Sequence, residues 1–156
     1  MPKSKKSKKK MKAASGRSKM KTRSAKRPAV GQSALKADLR YIPWHTIPLE
    51  RLNPLLQRQF VVGQEIMLAR VLLDKGCIVP LHSHANEQLT YIVEGALKFY
   101  IDGKEIVVRA GEVLCIPSNM PHKAEAIEYT VDLDVFTPPR ADWINKTDQY
   151  LRKGEE

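Results

Sequence analysis

From Phe60 onward the chain is written in short apolar runs, each cut by a turn residue. Phe60-Val61-Val62 stops at Gly63, Ile66 to Leu73 at Asp74-Lys75-Gly76, Leu89 to Val93 at Glu94-Gly95, and Leu97 to Ile101 at Asp102-Gly103. Further runs lie at Ile106 to Val108, Val113 to Ile116 and Tyr129 to Thr137. Short strands at such spacing predict an all-β sandwich or barrel, and Asp102-Gly103 predicts a two-residue hairpin. Pro138-Pro139 ends the last strand, because neither residue can donate to a ladder. A short helix is predicted from Ala141 to about Leu151. Upstream, Asp38 to Pro54 reads as an irregular lead-in with one short strand. There Trp44 is expected as a packing anchor, and His45, with no partner at ligand spacing, as a surface or core residue. The glycine patterns of nucleotide-binding folds are absent from the sequence, so nucleotide binding has no support.

Charge divides the 156 residues in two. Residues 1–36 hold 14 of the 27 Lys and Arg and no acid, which leaves 13 basic residues against all 17 acids in residues 37–156, a net of −4. The expectation is a basic N-terminal tail over 1–36 and a single domain over 37–156. The tail has almost no apolar content, so it cannot offset the entropy of ordering and is expected to be disordered. Its two readings are weak non-specific binding of nucleic acid and a plain solvated tail, or an over-extended start, since Met11 and Met20 are alternative starts. No apolar run has the length of a membrane span or the form of a secretory signal, so a cytoplasmic protein without a membrane partner is expected. Cys77 and Cys115 lie in strand-like runs, not as C-x-x-C, and are expected to be two buried, reduced thiols.

The candidate chemistry lies in histidine. Three of the four histidines fall in two punctuated segments: His82 and His84 in GCIVPLHSHANEQLTYIVEG, and His122 in GEVLCIPSNMPH. On an extended strand residues two apart share a face, so His82 and His84 can reach one point. Gln88 follows a short polar loop and can bring an amide oxygen there, whereas alternation turns Glu87 away. Three imidazoles from two segments make a divalent metal site plausible. On spacing alone, histidines satisfied within a core remain the alternative.

At these residues the sequence resembles the cupin superfamily. The first family motif, G, five residues, H-x-H, three or four residues, Glu, six residues, G, is matched from Gly76 to Gly95 with Gln88 at the Glu position. The second, G, five residues, P-x-G, two residues, H, three residues, N, is matched from Gly111 through Pro117 and His122, with Asn119 for Gly and Ala126 for Asn. The resemblance implies a double-stranded β-helix, a jelly-roll barrel, with His82, His84, Gln88 and His122 as ligands of a divalent ion (Zn, Ni, Mn or Fe). Asn119 is a mild departure, since Asn tolerates a left-handed turn. Gln88 is the consequential one: three neutral imidazoles and a neutral amide leave the ion its full charge, hence a stronger Lewis acid.

A cupin pocket also decides between the faces of the last strand. Ordinary patterning would bury Val131, Leu133 and Val135 and expose Asp132, Asp134 and Phe136. In a cupin, Phe136 and at least Asp134 line the cavity instead. Gln88, Thr90 and Ile92 then point inward, and Leu89, Tyr91 and Val93 outward. Two outward apolar strips predict a homodimer.

More narrowly, residues 65–143 resemble the small single-domain cupins that include the KdgF type of pectin-degradation protein. That type converts unsaturated uronates, released by polyuronate lyases, from the ring form to the linear ketone. Its D-x-F-x-x-x-R signature falls on Asp134, Phe136 and Arg140. The resemblance implies an isomerase or tautomerase acting on a small carboxylated sugar. Asp134 would then move a proton, Phe136 shape an apolar wall and Arg140 hold the carboxylate bidentately. The plainer alternative for Arg140 is an ion pair with Asp142. Two rivals stand beside the isomerase: a metal-dependent dioxygenase, and a non-enzymatic module that binds a small ligand.

Overall fold

The computed structural model describes residues 39–152. The basic tail, with its expected disorder and nucleic-acid affinity, lies outside the described residues. Ten strands form two antiparallel sheets. In chain order they are β1 (Glu50–Asn53), β2 (Leu56–Val62), β3 (Met67–Leu73), β4 (Ile78–His82), β5 (Glu87–Glu94), β6 (Ala96–Ile101), β7 (Lys104–Arg109), β8 (Val113–Ile116), β9 (His122–Ala126) and β10 (Thr130–Thr137). One sheet runs β1-β2-β3-β10-β5-β8 and the other β4-β9-β6-β7. The core lies between them: Met67, Ile92 and Phe136 from the first sheet pack in one cluster with Leu97, Phe99 and Val108 from the second. The expected all-β cupin barrel is the observed fold.

Alternation sets which faces look inward. On β5, Gln88, Thr90 and Ile92 are buried while Leu89, Tyr91 and Val93 are exposed. On β10, Asp132, Asp134 and Phe136 are buried, as the cupin reading expects, and Val131 is buried as well. The central place of β10, between β3 and β5, explains how two carboxyl groups come to sit inside a barrel.

Local backbone chemistry fixes the corners. Asp102 and Gly103 both have positive φ (51° and 69°) and join β6 to β7 with Ile101 opposite Lys104, the mirror-image turn that suits a hairpin's twist. Asn119 takes φ 62°, where an L-residue other than Asn or Asp would be strained. In that conformation its N–H donates to the His84 carbonyl at 2.7 Å, which ties the second histidine segment to the first.

Three expectations need correction. The C-terminal helix is two short ones, α1 (Ala141–Ile144) and α2 (Gln149–Arg152), because Lys146 turns to φ 56° and Asp148 faces inward to the buried Arg58. Cys77 is buried, and burial pushes its thiol up to about 11. Cys115 is exposed instead: it shares the outer face of the edge strand β8 with Val113, opposite Leu89. His84 lies just past the end of β4, in the loop, not on the strand. His45 is exposed, within the 3-10 turn Trp44–Thr46. Trp44 is half-buried, and its carbonyl accepts from Gln59. Among the described residues, no helix is long and apolar enough to cross a membrane, which says nothing of β-barrel spans.

Candidate metal centre

The two sheets meet at the histidines. His82 ends β4 and is paired directly with His122, the first residue of β9. Ring centroids are 4.3 Å apart for His82–His122, 5.2 Å for His84–His122 and 5.7 Å for His82–His84. One ring nitrogen from each lies within 4.8 Å of the others.

The backbone assigns the tautomers. Nδ1 of His82 faces the Pro80 carbonyl at 2.8 Å, Nδ1 of His84 the Asn86 carbonyl at 3.0 Å, and Nδ1 of His122 the Met120 carbonyl at 2.8 Å. A carbonyl only accepts, so each Nδ1 carries the proton and each Nε2 keeps a lone pair. Burial holds all three rings neutral. It pulls His82 down to about 3, with His122 adding to the shift, and His84 to about 4, with Arg140 adding to it. His122 is lowered by the same desolvation.

Gln88 approaches from the other sheet. Its Nε2 donates to Thr90 Oγ1 at 2.8 Å and to Asp134 Oδ1 at 2.7 Å, which turns its Oε1 toward His84 Nε2 at 3.1 Å. Both facing atoms are acceptors when His84 is neutral and its proton is on Nδ1. Two lone pairs at that distance repel unless a cation lies between them. The set therefore fits a divalent ion: three imidazole nitrogens and one amide oxygen, all electron-pair donors, suited to Zn, Ni, Mn or Fe.

Beside this set lie two carboxyl groups. Asp134 Oδ1 accepts from Gln88 Nε2 and Thr90 Oγ1. Asp132 is hydrogen-bonded to Asp134, and two carboxyls can share such a bond only with a proton between them. Burial raises both, and repulsion from Asp134 raises Asp132 further, so Asp132 holds the proton. Phe136 meets His84 edge-on at 5.7 Å and Trp143 at 5.1 Å. Arg140 also lines the cavity, but its fork is already occupied: Nε and Nη2 donate to the Asp142 carboxylate at 2.8 and 2.6 Å, and Nη2 also to the Tyr150 hydroxyl. Nη1 makes no hydrogen bond to a described residue.

Six of the seven residues singled out from the sequence thus line one cavity, with His84 against His122 and Phe136 beside it, and several more join them. Tyr150 stacks on His82 at 4.6 Å, and Arg58, Asp132 and Trp143 line the same space. Asp132 was legible as a face-mate of Asp134. Arg58 was not, because the polar start of β2 breaks the apolar pattern that marked the strand.

Comparison with known proteins agrees with the fold. Residues 69–136 match the cupin domain family. The pectin degradation protein KdgF of Dickeya dadantii is 27% identical over 108 residues, 67% of this chain and 98% of that protein. The structure of KdgF from Halomonas sp. aligns with a TM-score of 0.64 at 25% identity, covering 68% of this chain and 99% of that one. An oxalate-binding protein of Thermotoga maritima is 32% identical over 72 residues, 46% of this chain and 60% of that protein. On these grounds residues 69–136 form a cupin domain, and the chain resembles small cupins of the KdgF type.

Proposed function

We propose that His82, His84, Gln88 and His122 hold a divalent ion and that the cavity converts an unsaturated uronate from its ring form to the linear ketone. The observation that carries this reading is the link from Gln88 to Asp134 at 2.7 Å, which sets a carboxylate beside the acceptor cluster. When bound, an ion with only neutral ligands supplies Lewis-acid polarisation of a hydroxyl or carbonyl oxygen. Asp134 takes or gives the proton during enol-to-ketone conversion. Phe136 walls the reacting carbon from water. Arg140 has Nη1 left for the substrate carboxylate, a single contact and not the bidentate one, since Asp142 holds the fork. The test is metal-reconstituted protein with lyase-generated unsaturated galacturonate under anaerobic conditions. Loss of the enol-ether absorbance is the expected result. A flat trace would sink the reading, and oxygen uptake in an aerobic arm would move it to the dioxygenase.

We further propose a homodimer through the outer face of the larger sheet. Leu68, Leu89, Tyr91, Val93 and Val113 are all exposed there, and monomers rarely leave a large apolar face open to water. Light scattering is expected to give twice the chain mass at micromolar concentration and the single-chain mass for Tyr91→Glu. In a separate assay Cys115 is expected to react faster with a thiol reagent in that variant than in the parent. A monomeric parent contradicts the proposal.

A further inference from the structure

Three polar atoms in the cavity are used by nothing described so far. Arg58 Nε, Asp132 Oδ1 and Trp143 Nε1 are buried without a hydrogen-bond partner among the described residues, and all three residues line the cavity that reaches the histidines. Trp143 Nε1 approaches the Tyr150 hydroxyl but lacks hydrogen-bond geometry. Leaving a buried donor or acceptor unpaired is costly, and native proteins keep few such groups. Several in one cavity point to a polar occupant.

Their chemistry says which kind. Arg58 is 1% exposed and Asp132 4%. They stand in one row of the larger sheet, each directly opposite Val71 on the strand between them. The remaining nitrogens of Arg58 are committed: Nη1 forms a 2.6 Å ion pair with Asp148, off the hydrogen-bond angle, and Nη2 donates to Glu50 at 3.3 Å. These contacts hold its Cζ 4.3 Å over the Trp143 ring and leave Nε as a donor. Asp132 gives its proton to Asp134, which leaves Oδ1 as an acceptor. A carboxylate only accepts, so it would satisfy Arg58 and oppose Asp132, and the charge of Arg58 is already balanced by Asp148 and Glu50. An ammonium group would satisfy Asp132 and oppose Arg58. A hydroxyl does both.

We propose that Arg58 Nε and Asp132 Oδ1 form a hydroxyl-reading subsite, in which one hydroxyl of a sugar or sugar acid accepts from Arg58 and donates to Asp132. Trp143 Nε1 is a second donor to the same end of the ligand. The subsite rests on the reading of this cavity as a sugar-acid site, and it assigns the residues that would select hydroxylated ligands over plain carboxylates.

The experiment is isothermal titration of the metal-loaded full chain with galacturonate, galactose and glutarate, with bound metal and melting temperature measured for every variant. Galacturonate is expected to bind at least about tenfold tighter than glutarate, which has no hydroxyl. Asp132→Leu, Arg58→Lys and Trp143→Phe should each weaken galacturonate by about 3- to 10-fold, the worth of one hydrogen bond, and leave glutarate unchanged. Asp132→Asn keeps an acceptor at Oδ1 and a donor to Asp134, so its affinity should stay within about twofold of the parent. Arg58→Lys and Trp143→Phe, which keep the ion pair and the ring packing respectively, carry the test if Asp132→Leu does not fold. Parent-like galacturonate binding by these variants would overturn the subsite, as would equal losses for galacturonate and glutarate, or no binding of either hydroxylated probe by the parent. Conversion of the unsaturated uronate with unaltered variant affinities would refute the subsite and spare the reaction. The expected affinity pattern without conversion would do the reverse.

Discussion

Asp134→Asn is expected to slow conversion of unsaturated galacturonate by about 10²- to 10⁴-fold, the usual worth of a positioned proton-transfer group, with bound metal per chain unchanged. Asparagine can still present an oxygen to Gln88 Nε2 and Thr90 Oγ1, the two groups that Asp134 Oδ1 now satisfies. The Gln88 amide therefore keeps its orientation, and its oxygen stays turned toward His84. What is lost is the ability to carry a proton. Turnover and elemental analysis on the same sample separate the two properties. Parent-like turnover would remove Asp134 from the chemistry, and a joint loss of metal and turnover would show that it acts by holding Gln88 in place.

Gly95→Ala is expected to destabilise the domain by roughly 3 kcal/mol or more, from overpacking together with backbone strain. Gly95 has φ +80°, and a Cβ built there would lie 2.0 Å from the Tyr129 carbonyl oxygen and 2.8 Å from Thr130 Oγ1. Neither neighbour can give way easily. Thr130 Oγ1 is engaged with the backbone of Ala96 and Glu128 at the entry to β10, so a shift there would pull on the strand that carries Asp132 and Asp134. Urea unfolding checks this. A change below about 1 kcal/mol would show that the β5–β6 corner relaxes freely. Gly103 has a similar φ with nothing near its Cβ position, so Gly103→Ala should cost only the strain of the turn.

The sequence carried the barrel and the histidine cluster because both are local signals. Strand alternation placed Gln88 and Thr90 on one face of β5, and Asp132, Asp134 and Phe136 on one face of β10. The position of Asn119 in its motif anticipated the left-handed turn found there. Alternation could not by itself say which face of β10 looks inward, since ordinary patterning favours the opposite answer; the resemblance decided it. Long-range pairing was out of reach. Arg58 looks like the solvated start of a strand until Asp148, ninety positions later, is seen to fold back on it. The C-terminal helix breaks at Lys146, beside that contact, between Asn145 and Thr147-Asp148, residue types that favour helix caps. The apolar run around Cys115 predicts burial, but β8 is an edge strand with one face open.

The last described turn borders the cavity. Tyr150 and Leu151 close one side of a chamber of only about 50 Å³, well below the roughly 300 Å³ at the small end of ligand pockets. The barrel walls are laced by continuous ladders, whereas this turn is moored by side-chain ties: Asp148 to Arg58, Arg152 to Glu50, Asn53 to the Leu151 carbonyl and Arg140 to the Tyr150 hydroxyl. Segments so attached open at lower free energy than sheet interiors. A ring-sized ligand of the proposed kind would need this turn to open, so amide exchange at 147–152 is expected to outpace that of β10 and to slow when a ligand is bound.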